Sequence, residues 1–292
     1  MSQHLKGLLI TVLGVFILSP DALLIRLANS DTWTILFWRG LLFAFGIFLI
    51  IFLTYRSTTI RQFIKIGKLG LLLGFFFGLS TVFFVTSVQY TSIANALVII
   101  STSPVFAALL SWAFLKEKTN LRTWVTMFII IAATGAIMFN SFQHGGFWGD
   151  MSALATSVML AINFTITRQA KATNMIPAMA LAGLTTAAIS AIVIALTASP
   201  LLLEAPAIPY VLLMGIVTTL AFSLITLGPR YMPAAEVGMI MPLETVFGAY
   251  LAWIFLSEAP SNHVVIGGGI IMFTLIIHAW FTVRAPLKGD SN

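Results

Sequence analysis

Apolar residues run along this chain in blocks of about 20, the length a helix needs to cross the hydrocarbon core of a bilayer. Charges, prolines and glycine clusters mark off ten such blocks: Leu5–Ala28, Trp33–Tyr55, Lys68–Gln89, Ser92–Leu115, Leu121–Ser141, Phe147–Arg168, Ile176–Ala198, Pro206–Arg230, Pro233–Leu256 and Asn262–Val283. The longest polar stretch between them, Tyr55–Lys68, still carries Ile60, Phe63, Ile64 and Ile66. Charged residues make up 8% of the chain, against about 25% in a soluble domain. In hydrocarbon every backbone polar group must be satisfied within its own segment or in a closed barrel. Blocks of this length therefore predict an all-α polytopic membrane protein of ten transmembrane helices. The pattern barely dips at Tyr90-Thr91 and at Gly228–Tyr231. A turn is required at each, because a single helix of about 48 residues would be about 72 Å long. Lys6 before the first apolar run resembles a signal peptide, but the run is long and lacks a small-residue cleavage site, so a retained first span is expected.

The net charge of +6 carries information through its placement rather than as a sign of nucleic-acid binding. With ten spans, 13 of the 15 Lys and Arg residues fall on one side. They are Lys6, the group Arg56, Arg61, Lys65 and Lys68, then Lys116, Lys118, Arg122, Arg168, Lys171, Arg230, Arg284 and Lys288. The opposite loops hold Asp31, His144, Asp150, Glu204, Glu258 and His263. Basic loops stay cytoplasmic, which predicts that both termini are cytoplasmic. The absence of cysteine rules out disulfides and thiolate metal sites.

The chain also repeats itself. Tyr90–Lys118 and Tyr231–Ala259 align without a gap at an offset of 141, with 11 of 29 pairs identical, among them Trp112/Trp253 and Glu117/Glu258. A repeat on this scale is a duplicated half. Residues 1–143 and 144–292 then hold five spans each. An odd number turns the second copy upside down, an arrangement common among secondary transporters. An offset of 142 pairs the first spans of the halves, matching Arg26 with Arg168 and Asp21 with Asn163.

Tyr90-Thr91-Ser92, Ala94-Asn95-Ala96, Ser103-Pro104-Val105-Phe106 and Trp112–Glu117 resemble the signature of the EamA family in the drug/metabolite transporter superfamily. Leu243-Glu244, Val246-Phe247, Trp253 and Leu256-Ser257-Glu258 repeat the resemblance in the second half. It implies a ten-helix carrier in the bacterial inner membrane, an exporter of amino acids or related small metabolites. The expected partners are the lipid bilayer, a small-molecule substrate and protons as coupling ion, with the chain a monomer or homodimer. No cofactor, metal or nucleic acid is expected.

Charges within spans are costly, about 2.5–3.5 kcal/mol each or more, and mark function by default. Asp21 and Arg39 fall about 10 and 9 Å below the same surface on neighbouring helices, so an ion pair is expected. It either binds a charged or zwitterionic substrate or fixes the two helices. Arg26 lies nearer the interface, where its stem can snorkel. Glu244 falls midway along span 9, and Pro242 invites a kink there by removing a backbone donor. Its counterpart is Ser103, next to Pro104. Interrupted helices at the midplane build binding sites, so Glu244 either binds a substrate amine or cycles a proton, or else is a protonated helix contact. Asp21, Arg39, Glu244, Ser103 and Asn163 are the candidate substrate-binding or coupling residues. Ser80, Thr81, Asn95, Thr218, Ser223 and aromatics such as Phe84, Trp112, Tyr250 and Trp253 are secondary candidates. Gly70, Gly74 and Gly78 form a small-residue stripe suited to close helix packing. Glu117 and Glu258 are expected to cap equivalent helices.

The rival classes are an intramembrane enzyme and a channel. No HExxH or GxSxG motif occurs, and the four histidines are dispersed without metal-ligand spacing. A channel needs a continuous polar stripe or ring, whereas a duplicated chain suits a self-contained carrier.

Overall fold

The computed structural model describes residues 3–115, 121–143, 146–170, 173–228, 231 and 240–284. Every regular element among them is helical. The first span is two helices, α1 (Gln3–Leu18) and α2 (Asp21–Ala28), and the second is α3 (Thr32–Tyr55). A 3₁₀ turn and the short α4 (Thr59–Lys65) lead into α5 (Gly67–Tyr90). The fourth span is again two helices, α6 (Ile93–Ile100) and α7 (Ser103–Leu115). There follow α8 (Leu121–Gln143), α9 (Phe147–Gln169), α10 (Ile176–Thr197), α11 (Ile208–Leu227), α12 (Pro242–Leu256) and α13 (Asn262–Arg284). Among the described residues, eight stretches are long and apolar enough to cross a membrane, and Pro242–Leu256 and Asn262–Ile277 are shorter apolar helices.

Local chemistry explains the boundaries. Asp31 caps α3, its Oδ2 accepting from Trp33 N at 2.9 Å and Thr34 N at 3.1 Å, and Ser92 caps α6 by accepting from Asn95 N at 3.1 Å. Such oxygens satisfy donors that a helix start leaves without intrahelical partners. The breaks inside spans fall at polar or proline-containing pairs, Ser19-Pro20 and Ser101-Thr102. Proline cannot donate to the preceding turn. The Ser19, Ser101 and Thr102 hydroxyls donate instead to the carbonyls of Val15, Val98 and Ile99. Pro242 is the first residue of α12, directly after a turn at Met241, so the apolar run is interrupted where the proline stands. Glu244 lies in the first turn of that helix.

Helices in lipid gain little by burying apolar surface against each other, so close packing of small residues and hydrogen bonds hold them together. Large side chains accordingly stay exposed around the outside, for example Phe45, Leu53, Phe128 and Leu196. α3 and α10 pack backbone against backbone. A Cβ added at Gly40 would lie 2.7 Å from Gly183 O and 2.9 Å from Ala187 N. One added at Gly183 would lie 2.6 Å from Gly40 O and 2.7 Å from Ala44 N. Adding 143 to Gly40 and Ala44 returns Gly183 and Ala187, so each helix offers the other the same two residues. Gly40 faces Ala187 while Gly183 faces Ala44, so the two helices run antiparallel. By the same test α5 runs parallel to α10, with Gly74 against Ala178 and Gly78 against Ala182. α3 runs parallel to α11, with Leu42 against Gly215 and Gly46 against Thr219. Two members of the glycine stripe, Gly74 and Gly78, therefore serve packing against α10, while Gly70 meets Ile66.

Other pairings include α1 with α11, α5 with α9, α8 with α13, and α6 with α12. Numbered by the ten apolar blocks of the sequence, these join blocks 1–8, 3–6, 5–10 and 4–9, beside 2–7. Exchanging block n with block n+5 leaves this set unchanged. The largest core gathers where α2, α3, α5, α6 and α11 meet, around Ile25, Ile35, Leu36, Val85, Ile93 and Met214.

Candidate functional site

Helices begin partway through three spans, and two of those starts face one cavity. Asp21 is the first residue of α2 and Glu244 is in the first turn of α12. Both line a space also bounded by Arg39, Ser80, Thr81 and Phe84. A helix start carries the positive end of the backbone dipole, which favours an acidic side chain there. Arg39 reaches in from α3, with Nη2 2.6 Å from Asp21 Oδ2. The pair is almost fully enclosed: Asp21 is 1% and Arg39 5% exposed. The Arg39 guanidinium also lies over the Phe84 ring, 5.8 Å from its centre. Asp21 Oδ1 and Arg39 Nε have no hydrogen-bond partner among the described residues. Glu244 is half-buried, and its carboxyl makes no hydrogen bond or ion pair among the described residues.

The cavity measures about 60 Å³, room for a few water molecules and far below the roughly 300–1,000 Å³ of ligand pockets. As it stands the space is too small for a metabolite.

Sequence reasoning named the three charged residues and the hydroxyls of Ser80 and Thr81. It missed Phe77, Thr156, Phe222 and Met241, which also line the space. Thr156 and Phe222 are unremarkable in apolar runs, and only the placement of α9 and α11 around the cavity brings them inward. Ser103 and Asn163 are buried but lie outside the lining. Ser103 begins α7 beyond the Ser101-Thr102 break, so Ile100 faces the cavity instead. Asn163 sits one turn past Leu160 and returns its amide to its own helix, donating to Met159 O at 2.9 Å. Trp112, Tyr250 and Trp253 are each about half exposed on the periphery.

A second polar cluster closes the end of the bundle opposite Arg56–Lys68. Arg26 does not snorkel. Its Nε donates to Val88 O at 2.6 Å and its Nη2 to Thr91 O, at the negative end of α5. Ser257 ends α12 with a left-handed φ of 54°. The next residue, Glu258, accepts from Ile93 N at 2.8 Å and lies 3.9 Å from Arg26 Nη2. Glu258 thus caps the first turn of α6, joining the end of span 9 to the start of span 4. Its repeat counterpart Glu117 lies outside the described residues. Asp150, expected in a loop, is instead buried in the first turn of α9, where Thr91 Oγ1 donates to its Oδ1 at 2.7 Å. Glu258→Ala is expected to lower stability by about 1–3 kcal/mol, by leaving the Ile93 donor without its acceptor and removing the carboxylate beside Arg26. Glu258→Gln, which keeps an acceptor oxygen, should retain most of it. Thermal unfolding of the purified protein, followed by tryptophan fluorescence, measures both.

Among the described residues no group of three His, Asp or Glu side chains is placed to hold a metal ion.

A solved crystal structure superposes on 97% of this chain and 99% of its own length with a TM-score of 0.68 at 17% identity, a likeness of fold. The chain is 34% identical over 95 residues to solute carrier family 35 member G1 of Mus musculus, covering 28% of this chain and 25% of that protein. It is 38% identical over 77 residues to an uncharacterized transporter of Archaeoglobus fulgidus, covering 26% of each. It thus spans about a quarter of the length of these curated relatives. The model of the EamA-like transporter family matches twice, at residues 5–139 and 147–280. A polytopic helical chain carrying that match in both halves, around enclosed charges, belongs to the EamA-like transporter family and is a multi-pass membrane protein.

Proposed function

We propose that this protein is a secondary transporter that exports a small metabolite, an amino acid or related compound, across a bacterial inner membrane by alternating access. The observation that carries the reading is the enclosed cavity in which Asp21, Arg39 and Glu244 meet at the starts of two half-length helices. Charges at that depth are expensive unless used, and broken helices around a central site are how secondary transporters hold substrate. In this reading the chain has ten spans, in two five-span repeats of opposite orientation at residues 1–143 and 144–292, with both termini cytoplasmic. The antiparallel Gly40/Gly183 contact and the n to n+5 exchange of helix pairings support the inversion. The confinement of Lys and Arg to one set of loops supports the orientation. Glu244, and the Asp21–Arg39 pair beside it, make the polar contacts to the substrate, and Glu244 exchanges the coupling proton. Ser103 and Asn163 join the lining only as the helices separate.

Counterflow in proteoliposomes tests the carrier reading. Vesicles preloaded with an unlabelled candidate solute are expected to accumulate the labelled form transiently above equilibrium. Flux of a transported solute without such trans-stimulated exchange would mean a channel and would overturn the proposal.

A further inference from the structure

We infer that the cavity selects a monocationic amine with an apolar or aromatic body and no carboxylate, in preference to a zwitterionic amino acid. This rests on the carrier reading and, of its amino acids and related compounds, selects the related amines over the amino acids themselves. Three charged side chains face the cavity: Asp21, Arg39 and Glu244. Arg39 is already committed. Its Nη2 lies 2.6 Å from Asp21 Oδ2, and its guanidinium covers one face of Phe84. Its Nε is buried and has no hydrogen-bond partner among the described residues. Asp21 and Arg39 cancel, and no other Lys, Arg or His lines the space among the described residues. The charge left over is the carboxyl of Glu244, half-buried and without an ion-pair partner among the described residues.

That arithmetic sets the solute. An ammonium opposite Glu244 brings the enclosed charges to zero. A zwitterion adds a carboxylate beside a guanidinium that Asp21 already neutralises, so one enclosed negative charge stays uncompensated, and an uncompensated buried charge is heavily penalised. Arg39 would then serve two carboxylates with a single positive charge. The rest of the lining agrees. Phe77 and Phe222 meet edge to face at 4.8 Å and, with Phe84 and Leu97, form an apolar and aromatic wall. Aromatic faces attract cations and accommodate an apolar body.

Phenethylamine and phenylalanine differ by one carboxylate and separate the two classes. Each is offered in proteoliposome counterflow, beside a panel of neutral and anionic metabolites. Phenethylamine is expected to exchange, and to compete at least tenfold more potently than phenylalanine. Glu244→Gln should abolish that preference and Glu244→Asp should keep it, both in proteins that melt near the wild-type temperature. Equal or greater potency of phenylalanine would overturn the inference and leave the carrier reading intact. So would exchange of only neutral or anionic solutes. Absence of exchange for every solute in the panel would count against the carrier reading as well.

Discussion

Arg39→Met is expected to destabilise the protein by about 3–5 kcal/mol, because it leaves Asp21 buried as an uncompensated charge. Asp21→Leu should be comparably harmful, stranding the guanidinium. Replacing both together is expected to restore the melting temperature to near or above wild type, since a well-packed apolar pair often matches or exceeds a buried ion pair by about 1–4 kcal/mol. Thermal unfolding of the three variants measures this pattern. Counterflow on the refolded double variant then separates two roles. Loss of exchange in a stable protein places the pair in the solute site. Full exchange would reduce Asp21–Arg39 to a clamp between α2 and α3 and would remove both residues from the proposed site.

Glu244→Gln should cost exchange at least two orders of magnitude while the protein still inserts and melts normally. Its carboxyl lines the cavity and makes no hydrogen bond or ion pair among the described residues, so the isosteric amide removes charge without stranding a structural partner. Losing a charge that pairs with solute in a desolvated site is worth about 3–5 kcal/mol, and each 1.4 kcal/mol is tenfold. The measurement is the initial rate of labelled uptake, with and without an imposed proton gradient. Unchanged uptake and an unchanged response to the gradient would dismiss Glu244 as the coupling residue.

The pattern of apolar runs anticipated each described span boundary to within a few residues, including the turn at Thr91-Ser92 where hydropathy hardly falls. It did so because a helix crossing hydrocarbon has a length imposed by the bilayer, and that constraint is local. Asp21 and Arg39 were legible as partners for a similar reason: two short stretches flank one tight loop, and helical rise sets their depth. Arg26 was misjudged because its partners are carbonyls 62 and 65 residues away, at the end of α5. Pro242 was legible as an interruption of its apolar run because proline removes a backbone donor, and the helix breaks at Met241 just before it.

The apolar blocks and the helix ends that bound them are therefore legible in the sequence itself. Each depends on the exchange of a segment between water and lipid, which neighbouring segments do not alter. The meeting of α2, α3 and α12 around one cavity was decided only in the tertiary structure. So was the Gly40/Gly183 approach that sets α3 against α10. Lipid is as apolar as the helix faces, so hydropathy cannot say which face turns inward. That choice belongs to small-residue contacts and buried polar partners between segments far apart in the chain.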